Sequence, residues 1–325
     1  MKRRLFLSCS MILTPLADRA GAQGASRATR LGWLTAQGEP SLAPYVRVFR
    51  AALADLGYVE GKNLQLEFRY GDDVLERVPD LAAGLVSLPV DLIVAQGAAV
   101  TEISRLGLKV PVAYVYSGDP VLAGLADSLA RPRNNMTGLT FMAVELNGKR
   151  LELLREINPN LRRVAILANP EHPGEARERA DAEAMGRRLG LSIQYRPTRS
   201  VDELNATLAA MASDPPQALS VFADGFAVQN RKSIIDFGMR HKAPVISGWP
   251  VFAASGALVS YGPRLTESYR RLASYVDRML KGARAADLPI EQPTQFETVV
   301  NLKAASELGL TIPASVLLRA DTVIR

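Results

Sequence analysis

The chain is 325 residues long, 48% hydrophobic and 22% charged, with a formal net charge of +6; that balance excludes a largely disordered chain, and the length favours two domains over one. Its bases are interspersed with acids instead of clustered, which argues against a nucleic-acid partner. A single cysteine, Cys9, and two histidines, His172 and His241, leave no internal disulfide and no thiolate metal site.

The N-terminal stretch "MKRRLFLSCSMILTPLADRAGAQGA" has a basic start at Lys2, Arg3 and Arg4, an apolar run from Leu5 to Leu16, and small residues at Ala20-Gly21-Ala22. It reads as an export signal over residues 1–23, cleaved after Ala22 or Gln23. The apolar run is about a dozen residues, too short to span the roughly 30 Å of a bilayer core. Arg3-Arg4-Leu5-Phe6-Leu7 is compatible with the twin-arginine route, and a general secretory (Sec) route fits as well. A lipid anchor on Cys9 fits less well, because the apolar run continues past it. Without Lys2, Arg3, Arg4, Arg19 and Asp18, the net charge falls from +6 to +3.

Beyond the signal, short runs of Val, Ile and Leu alternate with longer amphipathic stretches, the pattern of βα units with parallel sheets. Strands are expected at Leu31–Thr35, Leu64–Tyr70, Leu92–Ala95, Val112–Val115 and Met136–Leu139. A second series follows at Val164–Ala168, Ser192–Arg196, Leu219–Phe222, Pro244–Ile246 and Leu258–Tyr261. In "YVRVFRAALADLGY", Val46, Phe49, Leu53 and Leu56 fall on one helical face. Gly57 and Gly190 stand where helices should stop.

The two series overlay. "RLGWLTAQGEP" from Arg30 matches "RVAILANPEHP" from Arg163, 133 positions on (163 minus 30). "LIVAQGAAV" from Leu92 matches "LSVFADGFA" near Leu219, with Gly97 and Gly225 separated by 128 (225 minus 97). "SGDPV" from Ser117 returns as "SGWPV" from Ser247, 130 positions on (247 minus 117). This predicts an α/β fold of two similar Rossmann-like lobes, with parallel sheets around a ligand cleft. Ligands of such sheets bind beyond the carboxyl ends of the strands. Those edges are Ala36-Gln37, Gln96-Gly97-Ala98-Ala99, Ser117-Gly118-Asp119, Asn169-Pro170, Asp224-Gly225 and Ser247-Gly248-Trp249. Pro120 is expected to open a helix, since proline suits a first helical turn.

Catalytic signatures are missing. There is no Gly-x-Ser-x-Gly elbow, no phosphate loop and no glycine triplet after the first strand. The acid pair Asp72-Asp73 lacks metal-ligand spacing and reads as a solvated turn. His241 ends a helix, where a surface cation suits the dipole; His172 follows a strand end and is placed to touch a ligand. Neither a cofactor nor a metal is expected, and the chain is read as no enzyme.

Several stretches carry a resemblance: "LADLGYVEGKNLQLEFRY" from Leu53, "SGDPV", "NNMTGLT" from Asn134, "ELNGKRLELL" from Glu145, and the tail from "SYGPRLTESY" to Arg325. In order and extent they resemble the exported substrate-binding proteins of ABC importers, in the branch with tryptophan- and tyrosine-binding members. The resemblance covers nearly the whole mature chain. It implies a type I periplasmic-binding-protein fold, with three passages between lobes near Thr140–Glu145, Pro263–Thr266 and Gln292–Glu297. Lobe 1 would then hold residues 28–140 and about 264–294, and lobe 2 residues 141–263 and about 295–325. It implies a periplasmic monomer that closes on a small solute about a hinge and docks on an importer permease in the membrane. The chain departs from the family in Gly225, which follows Asp224 where relatives often carry proline, and in Trp249, at a variable position.

For an amino-acid ligand, the carboxylate would meet backbone N–H groups at Gly97-Ala98-Ala99, a stretch that also reads as a plain tight turn. The ammonium would meet Asp224 first and Asp119 second, although Asp119 reads equally as a helix cap. Tyr116, Phe226, Trp249 and Tyr261 lie beside strand ends and would hold a flat apolar body or pack in the core. Trp33 is expected beneath the cleft. Gln37, Gln96, Asn169, Ser117 and Ser247 donate or accept without charge, which also permits a carboxylic acid or a neutral solute. The function expected is capture of a small solute, an amino acid or an aromatic or carboxylic acid, for an importer. The alternatives are a periplasmic ligand sensor that partners a receptor and, less well supported, an α/β enzyme.

Overall fold

The computed structural model describes residues 27–325 except Asp73 and Ala143; the expected export signal and Asp73 of the acid pair lie outside the described residues. Asp72 has a left-handed φ of 52° and pairs with Arg77 at 2.7 Å on the surface.

The first lobe is built on β1 (Thr29–Thr35), β2 (Leu64–Tyr70), β3 (Leu92–Gln96) and β4 (Val112–Tyr116). A small hairpin of β5 (Ala126–Ser128) and β6 (Arg131–Pro132) precedes β7 (Met136–Thr140). The sheet order is β2-β1-β3-β4-β7, parallel throughout. β1, β3, β4 and β7 are almost wholly buried, which is why they read as apolar runs and not as alternations.

The second lobe repeats the plan. Its strands are β8 (Arg163–Ala168), β9 (Ser192–Pro197), β10 (Ala218–Val221), β11 (Val245–Ser247) and β12 (Val259–Pro263), followed by β13 (Phe296–Asn301) and β14 (Thr322–Ile324). The order β9-β8-β10-β11-β12 copies that of the first sheet, and β13 then adds antiparallel to β12. All ten expected strands are present with small shifts at their ends. The sequence reading missed β13, β14 and the hairpin, whose segments are short or half-exposed.

Helix Glu39–Asp55 buries Val46, Phe49 and Leu53 as its spacing requires. Leu56, expected on the same face, instead lies at the C-terminal cap and is exposed. Gly57 and Gly190 adopt φ of 95° and 66°, which a side chain would resist.

The chain passes between the sheets three times. β7 ends at Thr140, and helix Glu145–Ile157 already packs on the second sheet. β12 ends at Pro263, and helix Leu265–Leu280 returns to pack on helix Glu39–Asp55 and on β3, β4 and β7. Glu291 bridges Leu139 beside β7 before β13 rejoins the second sheet. Helix Leu265–Leu280 buries Leu265, Tyr269, Leu272, Tyr275, Val276 and Met279. At about 1.5–3 kcal/mol for each large apolar side chain, that stripe ties the returning segment firmly to the first lobe. One core cluster runs from the first sheet through this helix and Trp249 into the second sheet.

Candidate functional site

The carboxyl ends of β4 and β8 are joined by contacts of Ser117 with His172 and of Asp119 with Pro173, and Trp249, after β11, meets Phe141, after β7. On the first lobe, Gln37 ends β1 and Gln96 ends β3. Gln96 Nε2 donates to Gln37 Oε1 at 3.0 Å, and the Gln96 side chain also meets the Tyr269 hydroxyl. Gln96 Oε1 is buried without a partner. Gly97 has φ 59° and donates its N–H to Val115; Ala98 then leads into helix Ala99–Arg105, whose first N–H groups have no partner within the helix.

Behind these residues lies a run of rings. Tyr45 stacks on Tyr269 at 5.1 Å, Tyr269 on Trp33 at 6.1 Å, and Trp33 meets Phe68 at 5.8 Å. Burial, helped by the nearby Glu297, pushes the Tyr45 hydroxyl up to about 12, and burial raises that of Tyr269 well above the ordinary tyrosine value. Both stay protonated donors at any physiological pH. Trp33 is fully buried in the core of the first lobe, and its Nε1 has no partner.

On the second lobe, Asn169 ends β8 and Oδ1 accepts the Glu171 N–H at 3.0 Å, an Asx turn. Asp224 follows β10 and caps the short helix Gly225–Gln229, accepting the Ala227 N–H at 2.6 Å. The N–H groups of Asn169 and Phe226 also point to its carboxylate. Only 5% of Asp224 is exposed. Burial raises its pKa, opposed by His172 and by those N–H donors; burial likewise lowers the His172 pKa, opposed by Asp224 and Glu175. Phe226 packs half-buried against the core.

Ser247 and Trp249 follow β11. Ser247 Oγ and Trp249 Nε1 are both buried without a partner, and such orphaned polar atoms cost roughly 1–3 kcal/mol each. Trp249 meets Phe141, on the first passage between lobes, edge to face at 5.6 Å. Beneath this loop lies a charged network absent from the sequence reading. Arg150 Nε donates to the Tyr261 carbonyl at 2.9 Å and its Nη1 to Asn147 Oδ1 at 2.6 Å, while Asn147 Nδ2 donates to Glu178 at 3.1 Å. Burial lowers Arg150 to about 10 and raises Glu178 to about 7. The Arg150 guanidinium lies so close to Gly248 that a Cβ there would meet it at 2.4 Å. Arg150 was legible as a charge on the otherwise apolar face of Leu146, Leu151 and Leu154.

The first echo, Ser117 to Pro120, differs from the second. Asp119 Oδ1 accepts the N–H groups of Val121 and Leu122, and Oδ2 accepts from Arg177 at 3.0 Å. Both carboxylate oxygens are engaged, by the loop's own N–H groups and by Arg177, although no helix follows for Asp119 to cap. The helix expected after Pro120 is absent: residues 120–124 form turns, because Leu125 N–H bonds back to Pro120 and closes the segment before a helix develops. Ser117 Oγ lies 2.9 Å from His172 Nε2, and the Tyr116 ring stacks beside His172 at 6.4 Å. His241 caps the end of helix Arg231–Arg240 against Phe237, away from these residues in the fold.

The family described as ABC transporter substrate binding protein matches residues 37–324. The chain belongs to this family. A curated relative, the tyrosine-binding protein of Clostridioides difficile (strain R20291), is 22% identical over 264 residues, 81% of this chain and 75% of the relative. Among solved structures, the ABC domain in complex with L-Trp from Streptococcus pneumonia is 24% identical with a TM-score of 0.83, covering 91% of this chain and 100% of that one. The ligand-free, open structure of a substrate binding protein with adhesive properties from Clostridium difficile is 20% identical with a TM-score of 0.68, covering 91% and 99%. A 5-methylthioribose transporter solute binding protein from Thermotoga lettingae, 14% identical, has a TM-score of 0.56 over 89% and 95%. The fold is that of type I periplasmic binding proteins. For a member of this substrate-binding family, a small-molecule ligand and an ABC transporter are the partners, and its members are binders instead of enzymes. Among the described residues, no helix is long and apolar enough to cross a membrane.

Proposed function

We propose that this substrate-binding protein is exported to the periplasm, captures an amino acid with a flat apolar side chain between its lobes, and delivers it to an ABC importer. The observation that carries this reading is the presence of buried polar atoms without partners after strands of each lobe, Gln96 Oε1 on one and Trp249 Nε1 on the other. Such atoms persist where a ligand completes their hydrogen bonds. Asp224 would face the ammonium, and the backbone at Gly97-Ala98-Ala99 the carboxylate. Gln37, Gln96, Asn169 and Ser117 would supply uncharged contacts, and Tyr116, Phe226 and Trp249 the apolar walls. The residues near 140–145, 263–266 and 292–297 would act as the hinge between lobe 1 and lobe 2. The names of the relatives, a tyrosine binder and a protein crystallised with L-Trp, support the ligand class. The higher TM-score to the L-Trp complex than to the ligand-free, open structure supports a closed arrangement of the lobes here.

A carboxylic acid without an ammonium is a second reading, favoured by the full engagement of Asp119 and by the backbone donors already on Asp224. A thermal-shift panel of amino acids, aromatic acids, short peptides and sugars on residues 24–325 tests both. A ligand at 100 times its Kd should stabilise by about 2.7 kcal/mol. Aromatic amino acids should raise the midpoint and sugars should not; a response to sugars alone would overturn the proposal.

A further inference from the structure

The first echo and the turn after β8 meet across the two lobes. From the first lobe come Ser117 and Asp119, and from the second His172, Pro173 and Arg177. Ser117 Oγ and His172 Nε2 are 2.9 Å apart, the Asp119 N–H donates to the Pro173 carbonyl at 2.9 Å, and Arg177 pairs with Asp119 at 3.0 Å. Each side is held in shape by its own bonds. Asp119 fixes its loop through the Val121 and Leu122 N–H groups. The opposing turn is fixed by Asn169, which accepts from Glu171 and His172, and by His172, which accepts from Glu175. Gly174, at φ 97°, allows the close approach: a Cβ there would sit 2.5 Å from Met142 and 3.3 Å from Asp119. Two loops that are rigid without each other, joined by a few polar contacts, can separate and re-form without unfolding either one.

We propose that residues 117–119 and 172–177 form an inter-lobe latch, in which His172 and Arg177 act as positioning residues that hold the lobes closed. His172 also feels the charge of Asp224, buried in the same lobe. A solute that engages Asp224 therefore meets a lobe whose next contact, through His172, is the opposite lobe. Capture and closure are linked through one side chain. This goes beyond the ligand assignment, although the link to capture rests on that reading.

The test is the distance between spin labels on the exposed positions Glu76 and Asp202, measured with and without L-tryptophan in the mature protein. Arg177→Ala changes an exposed side chain and leaves folding intact. His172→Ala removes the buried contact, and His172→Gln keeps a group able to bond Ser117. Relative to the unaltered chain, His172→Ala and Arg177→Ala should shift the ligand-free distribution toward longer distances, with His172→Gln closer to the unaltered chain. Affinity for L-tryptophan should fall by about 2- to 10-fold, as the closed fraction falls. Unchanged distances in both alanine variants would overturn the latch. Because the ligand-free arm needs no solute, the latch is still tested if L-tryptophan fails to bind, and that failure would count against the proposed ligand alone.

Discussion

The two echoed loops, "SGDP" at Ser117 and "SGWP" at Ser247, began from one plan and do different work. Both follow the fourth strand in order of their sheet, and both place a glycine where backbone approaches something closely. In the second loop, Pro250 opens helix Pro250–Ala254, Gly248 rests on the buried Arg150, and Trp249 keeps an unpaired N–H. In the first, Asp119 spends its carboxylate on its own turn and on Arg177, no helix follows, and the loop touches the other lobe. At the third position, aspartate takes the Val121 and Leu122 N–H groups and reaches Arg177 of the other lobe, whereas tryptophan takes neither. A duplicated loop has thus become a bridge on one side and a platform on the other.

The comparison breaks most readily at Arg150, on which the platform rests. Arg150→Met leaves the Tyr261 carbonyl and Asn147 Oδ1 without their buried donor and Glu178 without its nearby positive charge, and should cost about 3–5 kcal/mol. A lower denaturant midpoint with an unchanged slope would report it; a loss below about 1 kcal/mol would mean that the loop stands without that support.

The pH dependence of the same network is next in size. Glu178 has its pKa raised from an ordinary 4.5 to about 7, so the folded chain binds the proton more tightly than the unfolded one. Its contribution is fully present below pH 4.5 and is lost as the pH rises through about 7. At about 1.4 kcal/mol per unit, the loss is about 3 kcal/mol. Glu178→Gln should flatten stability against pH across that window relative to the unaltered chain, and identical profiles would rule out a raised Glu178.

The smallest expected effect concerns Trp249. Trp249→Phe removes a buried donor that has no partner, so stability should change little, while ligand affinity should fall by about 2- to 10-fold if the N–H meets the solute. Calorimetry that finds affinity unchanged would turn Trp249 into a packing residue.

Much of this fold was legible because strands buried on both faces leave continuous apolar runs, and because the two series carry the same motifs in the same order. Leu92–Gln96 and Ala218–Val221 could be found that way. Phe296–Asn301 could not, since its first half is only partly buried and its partner, β12, is antiparallel and distant in sequence. Of the strand ends named from sequence, those after β4 and β8 touch across the lobes, and their partners were hidden. Nothing local tells that Ser117 meets His172, or that Asp119 pairs with Arg177 of the other lobe, although its hold on nearby backbone N–H groups was foreseen. Arg150 and Tyr269 were visible only as a charge and a ring within otherwise apolar helical stripes.

The central claim is that the lobes close on an amino acid whose ammonium faces Asp224. Isothermal titration of the mature chain with L-tyrosine, L-tryptophan and 3-phenylpropionate, an aromatic acid lacking the amine, tests it most directly. The account predicts saturable one-to-one binding of at least one of the two amino acids and binding of the acid weaker by about 10-fold or more, as loss of a charge-assisted bond requires. No heat from either amino acid, or equal affinity for the acid without its amine, would contradict it.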